Sequence, residues 1–102
     1  MEIVVGTQNV TFTFGPSKTT ERMSQKAIVP PDHAETAIIM LTGFEVNYTD
    51  DDQYGFGKLK TDVMVLSTEA VQATVALRDD KTNDREWEGQ VKGLVVFFRS
   101  SE

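Results

Sequence analysis

The stretch Glu86–Ser100, EWEGQVKGLVVFFRS, constrains the fold more than any other part of the chain. Successive side chains of an extended strand alternate between two faces. Val91, Gly93, Val95 and Phe97 share one face, and Leu94, Val96 and Phe98 share the other. A strand apolar on both sides needs cover on both sides. In a chain of 102 residues, the protein's own core supplies one cover, and a second subunit is the expected source of the other. Leu94, Val96 and Phe98 are thus the candidate interface residues, and Arg99 with the serines after it forms the polar stop.

The same alternation recurs along the chain. Val10, Phe12 and Phe14 lie on one face, with Thr11 and Thr13 opposite, before Gly15-Pro16-Ser17 breaks the strand. Lys18–Lys26 is polar and reads as a loop or a weak edge strand. Ala27–Val29 is a short apolar piece stopped by Pro30-Pro31. From Ala34 to Tyr48 the pattern places Ala37, Ile39 and Leu41 against Ile38 and Met40. It changes phase at Gly43, which suggests a bulge. Leu59, Thr61, Val63 and Val65 form another face, and Val71, Ala73, Val75 and Leu77 the next. The windows closest to helical, Thr20–Ala27 and Ser67–Ala73, are short and poorly periodic. About six strands separated by polar turns predict an all-β, single-domain antiparallel β-sandwich over residues 1–102. Residues 1–26 are expected to form either an N-terminal strand or an arm.

Composition narrows the function classes. There is no cysteine, so disulfides, thiolate-held zinc and thiol catalysis are ruled out. Sixteen acidic and 10 basic residues give a net charge of −6. That balance opposes binding to phosphate backbones and to anionic membrane surfaces. No run approaches the roughly 18 apolar residues of a spanning helix. The opening MEIVVGTQNVTFTF has no basic start and no long apolar core, so a cleavable signal is not expected.

From residue 27 to residue 98 the order of features resembles the H-type lectin family. The elements that carry the resemblance are Ala27-Ile28-Val29, Pro30-Pro31, and Ile38–Val46 with Gly43-Phe44-Glu45-Val46. After them come strands at Leu59–Leu66 and Val71–Leu77, the polar loop Arg78–Trp87, and the apolar strand Gln90–Phe98. The resemblance implies a six-stranded antiparallel sandwich that assembles as a trimer or a multiple of it. It also implies a glycan site at subunit edges, held largely by the loop before the last strand. Asp84, Arg85 and Trp87 match by location. The chain departs from the family in ending Val95-Val96-Phe97-Phe98, where the family usually has Trp-Ile-Ala. Its loop also lacks the histidine often found there.

The loop Arg78–Trp87 is the candidate ligand site on its own chemistry. Sugars are held by carboxylates and guanidinium groups that hydrogen-bond in pairs, beside an aromatic face that stacks on the ring. Arg78, Asp80, Asp84 and Arg85 supply the first, and Trp87 the second. The alternative is a solvated hairpin loop whose Trp87 packs over a sheet edge. A second loop carries Asp50, Asp51 and Asp52 between Tyr48 and Tyr54. It partly echoes a calcium loop but has Thr61 where the twelfth-position acid belongs, so no metal site is expected. His33, the sole histidine, follows Asp32, and neighbours on a strand point to opposite faces, which argues against a dyad. No nucleophile elbow or phosphate loop is present.

No enzyme activity, cofactor or nucleic-acid partner is therefore expected. Three functions remain open, the last of them a non-carbohydrate binding domain or small-molecule pocket protein. The first is a multivalent carbohydrate-binding, lectin-like module. The second is a structural subunit of a homo-oligomeric assembly, such as a phage, injection-machine or shell component. The first two differ at Trp87: a lectin needs its indole face exposed beside Asp84 and Arg85, whereas an assembly subunit buries it.

Overall fold

A computed structural model describes residues 1–49, 56–79 and 85–101. The elements are β1 (Glu2–Ser17), β2 (Glu21–Ala27), β3 (Thr36–Tyr48), β4 (Phe56–Ser67), β5 (Ala70–Asp79) and β6 (Trp87–Ser100). They form two three-stranded antiparallel sheets, ordered β1-β6-β3 and β2-β5-β4. This is the all-β sandwich architecture that the alternation predicts. The segment Glu21–Ala27 resolves as an edge strand against β5, and the first strand pairs with β6 within the chain.

The central strands β5 and β6 supply most of the core. Val71, Ala73, Val75 and Leu77 of one sheet pack with Trp87, Val91, Val95 and Phe97 of the other. Val10, Phe12 and Phe14 of β1 and Ile28 join them, with Tyr48 from β3. Full burial of each such Val, Leu or Phe side chain contributes about 1.5–3 kcal/mol. Strands of 10 to 16 residues (β2, at seven, is the exception) draw the sandwich out. Its extents are 56 × 20 × 17 Å, and its radius of gyration is 16.4 Å. A compact domain of this length has a radius near 13 Å, roughly. A long, thin sandwich leaves more apolar surface in water than a compact one.

The long strands are fitted to each other by bulges. β3 shifts register between Leu41 and Gly43, the point where the sequence pattern changes phase. β1 shifts between Val4 and Gly6 and between Phe14 and Ser17. Close approach explains Gly89 on β6, where a Cβ atom would stand 2.5 Å from the backbone oxygen of Glu45. The turn into β3 is built differently. The N–H of Ala34 donates to the carbonyl of Pro31, and His33 sits at φ 71°, the position of a type II turn that glycine favours.

Two stability predictions follow from these backbone positions. Gly89→Ala should lower the unfolding free energy by about 1–3 kcal/mol, because backbone rather than a flexible side chain must give way. His33→Gly should raise it by about 1 kcal/mol by removing the left-handed cost of a residue with a Cβ. Urea denaturation followed by circular dichroism measures both. An unchanged midpoint for either variant would contradict the corresponding local account.

Candidate functional site

Trp87 opens β6 at the end of the sandwich where β1 gives way to β2. Its register opposite Tyr48 and Ser17 turns the indole into the core. It is 0% exposed. The indole Nε1–H donates to the carbonyl of Thr19 at 2.9 Å. The Phe14 ring lies alongside, with centroids 6.3 Å apart and planes tilted by 33°. The indole face that a lectin site at Trp87 needs exposed is buried, as in the alternative reading of a tryptophan packed over the sheet edge. Trp87 has the parity of Val91, Val95 and Phe97, and the strand begins early enough to carry that parity back to it.

Arg22 closes this end. β2 directs it inward opposite Val75. Its guanidinium carbon stands 3.8 Å from the centre of the Trp87 ring and 5.7 Å from that of Phe14. Nη2 donates to the carbonyl of Trp87 at 2.8 Å, and Nη1 donates to the carbonyl of Gly15. Nε is buried with no hydrogen-bond partner. Desolvation by burial lowers the Arg22 pKa from its ordinary value. The cation thus ties β2 to β1 and β6 through two backbone oxygens and an aromatic face. Nearby, the N–H of Leu77 donates to the Thr20 carbonyl at 2.9 Å. The Thr49 hydroxyl donates to the Glu86 carboxylate at 2.7 Å.

The other sequence-predicted ligand residues do not gather around an exposed ring. Arg78 pairs opposite Lys58, on the outward face of the β2-β5-β4 sheet, because its neighbour Leu77 faces the core. Arg85 is half-buried just ahead of β6. Asp80 and Asp84 lie outside the described residues, as do Asp50, Asp51, Asp52 and Tyr54 of the acidic loop. Asp32 and His33 are exposed at the turn before β3. Among the described residues, no cluster of three or more acidic or histidine side chains could hold a metal ion.

The candidate interface residues share one side of their strand. Leu94, Val96 and Phe98 lie on the outward face of the β1-β6-β3 sheet. Residues directly opposite one another across antiparallel strands share a face. Met40 stands beside Leu94, Ile38 beside Val96, and Val4 beside Phe98. Val4, Ile38 and Met40 are exposed. The sequence signal for these three was their parity, and it became informative only once the strand pairing was known. Towards the other end the same face turns polar. Thr13, Glu45, Asn47, Glu88 and Gln90 line a shallow groove of about 360 Å³ floored by Gly15 and Gly89. No single motif announces this groove, since its members come from three strands. A second depression, of about 480 Å³, lies at the opposite end among His33, Glu35, Arg99, Ser100 and Ser101. There Glu35 accepts from the N–H of Ser100 at 3.1 Å.

Compared with known proteins, the chain matches no family model, no curated protein and no solved structure.

Arg22→Ala removes the cation from the Trp87 face and leaves two carbonyls without their charged donor. It should destabilise the protein by about 2–4 kcal/mol. The emission of Trp87 should be blue-shifted in the parent protein and move to the red in the variant. Denaturant titration followed by tryptophan fluorescence reads both effects. Emission already red-shifted and quenchable in the parent would contradict the buried placement.

Proposed function

We propose that the chain is a structural subunit of a homo-oligomeric assembly, in which copies meet through the outward face of the β1-β6-β3 sheet. One observation carries the reading: on the outward face Val4, Ile38 and Met40, each 45–58% exposed, stand beside half-buried Leu94 and Phe98 and buried Val96 across all three strands. Contiguous exposed apolar patches on a protein surface mark interaction sites or aggregation hazards. The slender sandwich adds to the argument, because its own second sheet covers only one side of β6. The buried indole favours this reading over the carbohydrate-binding one, which needed Trp87 at the surface.

The carbohydrate-binding reading retains one supporting observation. The groove of Thr13, Glu45, Asn47, Glu88 and Gln90 gathers carboxylates, carboxamides and a hydroxyl, groups that hydrogen-bond to polyols. Phe14 also lines the groove, but it is 5% exposed and packs in the core, so the groove offers no open ring to stack on; it binds one sugar weakly and depends on several copies acting together. The strand order that resembles the H-type lectins is compatible with that arrangement. A glycan array probed with the parent protein and with Glu88→Ala tests it. Glycan binding lost in the variant supports the module, and silence of both proteins removes it.

Leu94→Lys and Ile38→Lys place a charge on the apolar face without touching the inner core. Each should reduce the sedimenting mass towards 11.4 kDa while the strand signal in circular dichroism persists. Lys92→Ala, towards the polar part of the same face, should leave the assembly intact. Lysine variants that assemble like the parent would contradict the proposed contact surface.

A further inference from the structure

We infer that the outward face of the β1-β6-β3 sheet of one copy seats on the outward face of the β2-β5-β4 sheet of the next, with the strands of both copies running the same way. This rests on the assembly reading and deepens it, by naming the surface that covers the apolar face.

The second sheet also has a divided outward face. One half is basic. Arg78 stands directly beside Lys58, and Lys60 and Glu21 flank Ala76. Lys58 and Lys60 are exposed, and Glu21, 4.0 Å from Lys58, offsets part of their charge. Like charges directly opposite one another, as Lys58 and Arg78 are, destabilise a strand pair, and an acid seated over them relieves that cost. The other half is apolar. Met23 is 67% exposed, Met64 50% and Leu66 44%. The carboxamides between the methionines are engaged within the face. Gln25 Nε2 donates to Gln72 Oε1 at 3.1 Å, and Gln72 Nε2 donates to the sulfurs of Met23 and Met64 at 3.6 and 3.7 Å. Covering this half therefore costs little in broken hydrogen bonds to water. Methionine side chains also adapt to the shape of what packs on them.

This pattern is the counterpart of the first face. On the β1-β6-β3 sheet, Glu45 and Glu88 form an acidic half, and Ile38, Met40, Leu94 and Val96 an apolar one. Lys92 on one face and Asp62 on the other mark the boundary between halves. The two faces are divided in the same direction. Arg22, opposite Val75, covers the Trp87 ring, so the acidic and basic halves share that end of the sandwich. Towards the other end the N–H of Val29 donates to the Gln8 side chain. β3 lies over β4, and β1 over β2. The spacing agrees as well: six residues separate Glu88 from Leu94 on β6, and six separate Arg78 from Gln72 on β5. A copy displaced through the thickness of the sandwich, without turning end over end, sets Glu88 over Arg78 and Glu45 over Lys58 and Lys60. The same displacement sets Met40 and Ile38 over Met64 and Leu66.

This complementarity of charge and apolar surface, carried by one chain on its two faces, selects a second copy as the occupant. Pairing the first face with itself about a two-fold axis would cover its apolar half. It would leave Glu45 and Glu88 without cations and the methionine face in water. Stacking head to tail covers both faces, and such contacts close into a ring or continue as a filament.

Mixing of surface variants, read by sedimentation velocity, tests the inference. Ile38→Lys blocks the first face and Met64→Lys the second. Each chain alone should stay near 11.4 kDa with its strand signal in circular dichroism intact. An equimolar mixture should form a dimer of one chain of each kind. Lys60→Glu alters one exposed side chain and decides the matter even where Met64→Lys fails to fold. It should weaken association about fivefold, and Glu45→Lys in the same chain should restore it. A Met64→Lys or Lys60→Glu chain that assembles like the parent, while Ile38→Lys does not, would overturn the stacking and leave the first face as the contact. Two blocked chains that stay monomeric when mixed would overturn the stacking too. A parent protein that is monomeric at every concentration would overturn both the stacking and the assembly reading.

Discussion

Everything in this structure depends on β6 being central in its sheet and apolar on both faces. Its odd-numbered residues, Trp87 to Phe97, meet β5 across the sandwich and make the core. That contact orders the pairing on both sides, with β1 along one edge and β3 along the other. Its even-numbered residues from Leu94 to Phe98 then point away from the core. They draw Ile38, Met40 and Val4 into an outward apolar face that a three-by-three sandwich has no further layer to cover. The fold and the proposed assembly are thus two consequences of one strand.

The far end of the sandwich is closed by an arginine. Trp87 is too large to sit uncovered at the mouth of a thin core, and β2 offers no apolar side chain on its inward face, only Arg22, Ser24 and Lys26. Arg22 covers the indole with a delocalised cation and places its N–H groups on two strand carbonyls. Lys26 repeats the device further along, reaching the carbonyl of Thr11. The β1/β2 side is therefore held by polar cross-links. The β3/β4 side shows exposed Leu41, Phe44 and Leu59.

Strand positions were readable from the sequence wherever one face is buried, because period-two alternation is a local signal. The phase change at Gly43 was likewise legible and coincides with a bulge. Glu21–Ala27 was harder to read, since an edge strand whose inward residues seek carbonyls leaves no apolar trace. At Trp87 the sequence leaves an exposed and a packed ring both open. Polar neighbours suggested a loop, whereas the parity shared with Val91 and Val95 places the ring in the core. Pairing partners are non-local, so neither the outward cluster of Ile38 and Met40 beside Val96 and Leu94 nor the polar groove of three strands could be assembled from sequence alone.

The most direct measurement uses the absence of cysteine. Asn9 is exposed on the outward face, beside Leu94. A spin label on Asn9→Cys reports whether another copy lies over that face. The account predicts dipolar coupling between labels that appears as the protein associates and disappears on dilution with unlabelled chain. Labels that stay uncoupled in a protein of demonstrated oligomeric mass would place the contact elsewhere. Uncoupled labels in a monomer would remove the assembly altogether.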